Sequence, residues 1–141
     1  MKQELVSDWM TRDVITIAPE TSLKEAHEIM NSKNIRRLPV VVRGKVVGIV
    51  SLGDIRGAEP SKASSLSVWE MNDLLANLKV SEIMTRNPGT IQQTESIGEA
   101  AKMMLEKKFS SMPVVDKESQ LVGIITESDI FRLVVSEWHK D

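Results

Sequence analysis

Gly48-Ile49-Val50-Ser51-Leu52-Gly53-Asp54-Ile55 returns later in the chain as Gly123-Ile124-Ile125-Thr126-Glu127-Ser128-Asp129-Ile130. Each copy is a short aliphatic run led by glycine that closes on a polar step, which reads as a buried strand handing over to a helix. Working outward, Leu38-Pro39-Val40-Val41 is matched by Met112-Pro113-Val114-Val115, and Val6-Ser7-Asp8-Trp9-Met10-Thr11-Arg12 by Val80-Ser81-Glu82-Ile83-Met84-Thr85-Arg86. Order and spacing hold, with one residue more in the second copy between Val115 and Gly123. Each copy is too small to close a good core alone. Two units built alike are expected to bury their faces on each other about a pseudo-twofold axis, leaving paired clefts of the kind in which small molecules bind.

Within each copy the order strand, helix, strand, strand, helix is expected. Residues 14–17 and 90–91 are β-prone. Ser22-Leu23-Lys24-Glu25 and Ser96-Ile97-Gly98-Glu99 then read as capping boxes, each followed by an apolar stripe: Leu23, Ala26, Ile29 and Met30, or Ile97, Ala100, Ala101, Met104 and Leu105. Two aliphatic runs follow in each copy as a hairpin, around Arg43-Gly44-Lys45 or residues 116–120, with the proline at the start of its strand where a missing donor costs least. Residues 1–56 therefore form repeat one, 57–78 a linker and 79–141 repeat two. The linker carries a helix capped by Ser67-Val68-Trp69-Glu70, with Leu66 and Met71 placed as a hydrophobic staple and Met71, Leu74, Leu75 and Leu78 on one face. The last helix is apolar nearly all round, through Ile130, Phe131, Leu133, Val134, Val135 and Trp138, and the excess is expected to serve self-association.

The 141 residues carry a formal net charge of -2 and no cysteine. The charge argues against a general nucleic-acid surface, and the missing thiols exclude disulfides, thiolate metal sites and cysteine nucleophiles. Met1-Lys2-Gln3-Glu4 leads into no apolar signal region and no run is long enough for a membrane span, so a cytoplasmic protein is expected. His27 and His139 have no second ligand at metal spacing and are read as surface residues. Trp9, Trp69 and Trp138 are read as anchors of packing or of an interface. There is no P-loop or Gly-x-Gly-x-x-Gly loop, and no nucleophile and base can be paired, so no catalytic site is expected.

The repeated Gly-x-x-Ser/Thr-x-x-Asp set suits a nucleotide. Glycine lets backbone approach a ligand, a hydroxyl donates to phosphate or ribose oxygen, a carboxylate accepts from both ribose hydroxyls, and free helix amides can face an anion. Each element also has a plainer use. Asp54 and Asp129 can serve as helix N-terminal carboxylates, Ser51 and Thr126 can satisfy local backbone, and Arg36 and Arg37 can be a solvated pair on a strand edge. The recurrence of the whole set at matching places favours a ligand site.

These residues resemble the cystathionine β-synthase (CBS) domain family, over both copies and nearly the whole chain. The resemblance implies an α/β (α+β) fold of two pseudo-twofold-related β-α-β-β-α CBS repeats packed through their sheets, a Bateman module. The linker, with Ser65-Leu66-Ser67-Val68-Trp69-Glu70-Met71-Asn72, resembles stand-alone CBS pairs related to acetoin-utilisation protein B. Such pairs are regulatory and bind AMP, ADP, ATP or S-adenosylmethionine between repeats. By that likeness Asp129 and Thr126 hold ribose and phosphate, Arg36 or Arg37 neutralises phosphate, and Val14, Ile15 and Thr16 flank the adenine. A second, weaker site comprises Asp54, Ser51, Ser110, Ser111, Thr90 and Ile91, without the arginines. No obligatory cofactor is implied, only an adenine nucleotide as regulatory ligand, in energy sensing, with a homodimeric four-CBS disc and an enzyme or transporter as regulated partner. Two alternatives stay open: a scaffold or inhibitory subunit with non-functional pockets, and a nucleic-acid-binding CBS pair.

Overall fold

The computed structural model describes residues 4–59 and 66–139. In chain order its elements are α1 (Val6–Trp9), α2 (Leu23–Lys33), β1 (Arg37–Val42), β2 (Lys45–Ser51), α3 (Leu52–Ala58), α4 (Val68–Asn77), a 3-10 turn (Val80–Glu82), β3 (Thr85–Arg86), β4 (Ile91–Gln92), α5 (Ile97–Lys107), β5 (Ser111–Val115), β6 (Leu121–Thr126) and α6 (Glu127–Trp138). The strands form two three-stranded sheets, β1-β2-β3 and β4-β5-β6. The serine half of each expected capping box forms at all three helix starts, whereas the returning glutamate bond is made only at Ser67–Glu70 and not at Ser22–Glu25 or Ser96–Glu99. Ser22, Ser67 and Ser96 accept from the amides of Glu25, Glu70 and Glu99 and so fix the starts of α2, α4 and α5.

The chain divides into two compact units. One is Ile15–Pro88; the other joins the segment ending at Val14 to the segment beginning at Gly89. The units and the sequence repeats are not the same thing, because each repeat's opening lies in the sheet of the other repeat. In the unit Ile15–Pro88, β1 and β2 form an antiparallel hairpin, and β3, from the opening of repeat two, lies on the far edge of β2 with Gly48 opposite Arg86. Val80, from the same opening, is fully buried in a core with Leu23, Met30, Leu38, Val50 and Ile55. α4 lies against α2, presenting buried Leu75 and leaving Trp69 84% exposed. The two-residue turn at Arg43 and Gly44 has φ of 53° and 81°, the paired left-handed geometry that matches strand twist.

In the other unit, β4 runs parallel to β5, and β5 antiparallel to β6. Thr11, from the opening of repeat one, bridges Ile124 on the free edge of β6. Val6 and Met10 belong to a core with Ile97, Met112, Ile125 and Leu133.

Three expectations are corrected. Residues 14–17 do not form a strand. Only Ile17 pairs, donating to the Pro39 carbonyl at 3.1 Å and accepting from the Val41 amide at 2.9 Å, while the Val14 amide closes a turn on Arg12. Leu105 leaves the core stripe of α5 and is 81% exposed. Finally, Gly48 and Gly123 make room for protein, not for a ligand. A methyl group at Gly48 would meet Met84 Cγ at 2.9 Å and the Thr85 carbonyl oxygen at 3.1 Å, and one at Gly123 would meet the Thr11 carbonyl oxygen at 2.8 Å and Met10 Cγ at 3.0 Å. The Met-Thr openings and the glycine-led strands are thus two halves of one contact.

Candidate functional site

At the end of β2 the chain passes directly into α3, and Ser51 is the helix cap. Its Oγ accepts from the Asp54 amide at 3.0 Å, and Asp54 Oδ2 accepts from the Ser51 amide at 2.8 Å. Thr126 and Asp129 repeat the arrangement at the head of α6, with the Thr126 amide 2.8 Å from Asp129 Oδ2 and the Asp129 amide 3.3 Å from Thr126 Oγ1. The Ser/Thr-x-x-Asp pattern is therefore a reciprocal capping box in both repeats. It fixes the hydroxyl and carboxylate beside the strand that carries the Arg-Arg or Ser-Ser pair. Helix amides offer less to an anion than the sequence suggests. The Leu52 amide donates to Arg36 O at 2.8 Å and the Glu127 amide to Ser110 O at 3.1 Å, so two of the first three donors in each helix already have protein acceptors.

Register then decides which side chains meet. Arg37 lies directly opposite Ser51 on the hairpin, and Arg36, Arg37, Ser51, Leu52, Gly53 and Arg56 line a pocket of about 340 Å³. The equivalent surface in repeat two pairs Ser111 with Thr126, and carries Ser110, Ser111 and Phe131 where repeat one has three arginines. The sequence reading missed Arg56. Its position one residue short of a turn beyond Gly53 on α3 was the available signal. Three arginines and a serine in the lining of one pocket suit it to a phosphate, to which guanidinium groups can donate charge-assisted, paired hydrogen bonds.

The remaining candidates are placed as follows. Ile15 is half-buried against the core of its unit, Val14 is half-buried and Thr16 exposed. Thr90 is exposed, and Ile91 is 4% exposed with its side chain in the core of its unit. Asp54 is half-buried; Asp129 is 1% exposed. Its Oδ2 also accepts from Thr126 Oγ1 at 3.1 Å, and its Oδ1 accepts from Arg132, a second residue the sequence reading passed over. His27 Nδ1 lies 4.0 Å from Glu59 Oε1. Among the described residues no group of three or more His, Cys, Asp or Glu side chains could hold a metal, and no helix is long and apolar enough to cross a membrane.

Comparison with known proteins agrees with this architecture. The CBS domain profile matches residues 6–61 and 80–136. The chain belongs to the CBS domain family, as a tandem pair. Among solved structures it is similar to Arabidopsis thaliana CBSX2 in complex with AMP, with a TM-score of 0.80 and 27% identity over 96% of this chain and 99% of that one. It is also similar to the CBS domain pair of protein MJ0100, solved with 5′-methylthioadenosine and S-adenosyl-L-methionine, with a TM-score of 0.79 and 33% identity over 96% and 99%. A Vibrio cholerae protein described as acetoin utilization protein AcuB gives a TM-score of 0.78 and 30% identity over 97% and 94%. An inosine-5′-monophosphate dehydrogenase of Korarchaeum cryptofilum is 36% identical over 123 residues; the match takes in 87% of this chain and only 23% of that enzyme's length.

Proposed function

We propose that the chain is a non-enzymatic regulatory module of the cytoplasm. It binds an adenosine-containing ligand and passes its occupancy to a partner through a change in geometry. The carrying observation is the pocket lined by Arg36, Arg37, Arg56 and Ser51. Similar CBS pairs crystallised with AMP, or with 5′-methylthioadenosine and S-adenosylmethionine, support the adenosine part of the reading. The arginines favour a ligand that carries phosphate. A regulatory effect requires only that this ligand bind two arrangements of the protein unequally.

Within the proposal, Arg36, Arg37 and Arg56 neutralise the phosphate and Ser51 donates to it. Asp54 is the readier carboxylate for the ribose, because it is half-buried in the same repeat whereas Asp129 is covered. The sequence reading set Asp129 and Thr126 first and Asp54 second; the weight moves with the arginines to repeat one. Self-association through the exposed apolar residues of α6 completes the proposal.

Calorimetry with AMP, ATP, S-adenosylmethionine and adenosine tests it. Arg36→Ala is expected to weaken AMP about tenfold or more, the worth of one charge-assisted hydrogen bond, and to leave adenosine nearly unchanged. Asp54→Ala should weaken all four ligands, and more than Asp129→Ala does. Equal loss of AMP and adenosine in Arg36→Ala removes the phosphate role, and no binding of any of the four by the native chain removes the sensor reading.

A further inference from the structure

We infer that Arg132 holds the carboxylate of repeat two closed, so that one nucleoside site per chain, that of repeat one, is open. The inference rests on the proposed adenosine function and concerns how many sites take part in it. The two capping boxes are alike in backbone geometry but differ in what remains available. In repeat one, Ser51 Oγ accepts from the Asp54 amide and its own proton has no acceptor among the described residues, while Asp54 engages only Oδ2 in the box. In repeat two, the Thr126 hydroxyl donates to Asp129 Oδ2, and Arg132 donates to Asp129 Oδ1. Both carboxylate oxygens and the hydroxyl proton are engaged, and Asp129 is 1% exposed. A carboxylate oxygen can accept more than once, but Asp129 Oδ2 already accepts twice and Oδ1 is held by Arg132 in a covered side chain, so a ribose diol reaches the carboxylate only by displacing Arg132.

Arg132 is not there to fill space. Its side chain is 62% exposed. The equivalent residue in repeat one is Gly57, where a side chain would enter open space. The guanidinium meets the carboxylate from the solvent side, and removing it leaves Asp129 with the Thr126 amide and hydroxyl as partners. The site so opened has Ser110, Ser111 and Phe131 in place of arginines, so its ligand is a nucleoside without phosphate.

Calorimetry on the full chain with AMP and with adenosine tests the inference. The native chain is expected to take one nucleoside. Arg132→Ala should take a second equivalent of adenosine, and the double variant with Asp129→Asn should lose it. Arg132→Lys keeps the charge over the carboxylate and should stay at one equivalent. Circular dichroism checks the fold, and Arg132→Met, which retains the aliphatic stem, serves if the alanine variant is unstable. A folded Arg132→Ala or Arg132→Met with no added adenosine equivalent overturns the inference, as does a native chain that already takes two. A native chain that takes neither AMP nor adenosine overturns the proposed function instead, and the adenosine result on the Arg132 variants still decides the role of Arg132.

Discussion

Gly48 and Gly123 lack side chains because two methionines occupy the space where a side chain would begin. Met84 lies over Gly48 and Met10 over Gly123, and in both places the carbonyl oxygen of the next threonine closes the gap. Adding one methyl group to a contact this tight forces side chain or backbone to move, at a cost of about 1–3 kcal/mol. Gly48→Ala is therefore expected to lower the unfolding free energy by that amount, read from the shift of the denaturation midpoint at unchanged slope. Met84→Ala should lower it separately by removing a packed side chain, yet the double variant should cost less than the two added together, since the smaller residue clears the space the new methyl needs. Additive losses would show that Met84 and Gly48 do not share the space. The same reasoning explains why the glycine was misread from sequence. Glycine at a strand start is equally compatible with a ligand or with protein backbone close by, and only the neighbour's identity separates the two.

At the scale of elements, the exchange of openings between repeats sets which part of the chain holds which core together. Val6 belongs to repeat one by sequence but is fully buried with Ile97, Met112 and Leu133. Val6→Ala is expected to destabilise by about 2 kcal/mol. In hydrogen exchange it should release the amides of α5, β5 and β6 while leaving those of α2, β1 and β2 protected; loss of protection confined to α2, β1 and β2 would contradict the exchange. The serine caps, the hairpins and the helical stripes were legible in the sequence because each depends on residues a few positions apart. The exchange was not, because Val-Ser-x-x-Met-Thr occurs in both openings and fits either sheet equally well, so a linear pattern holds nothing to choose between them. Most of the candidate site was legible for the same reason. Ser51, Asp54, Thr126 and Asp129 announce themselves by spacing, and Arg36 and Arg37 by their place before Pro39. Arg56 and Arg132 matter through the reach of a long side chain across a helical turn, which spacing alone does not show.

At the scale of the whole molecule, α6 carries four exposed apolar side chains among the described residues. Phe131 is 63% exposed, Val135 57% and Trp138 82%, and Phe131 separates two apolar hollows, one shared with Met104, Leu105 and Ile130, the other with Trp9, Val135 and Arg132. Phe131 and Trp138 alone expose on the order of 300 Å² of mostly apolar surface, a sizeable part of the ~800 Å² that each partner buries in a stable complex. Apolar surface of that extent is comparable to the largest patch on a typical monomer, which is often functional. A second copy is a fitting occupant, since a twofold contact lays the same exposed residues of α6 against each other and covers them on both subunits at once. Phe131→Asp with Val135→Asp places two charges in such an interface while altering only exposed positions, so each subunit should fold as before. Native mass spectrometry is expected to find the unaltered chain as a dimer and the double variant as a monomer with an unchanged circular-dichroism spectrum. A native chain that stays monomeric at micromolar concentration, or a double variant that still dimerises, would assign the α6 surface to some other use.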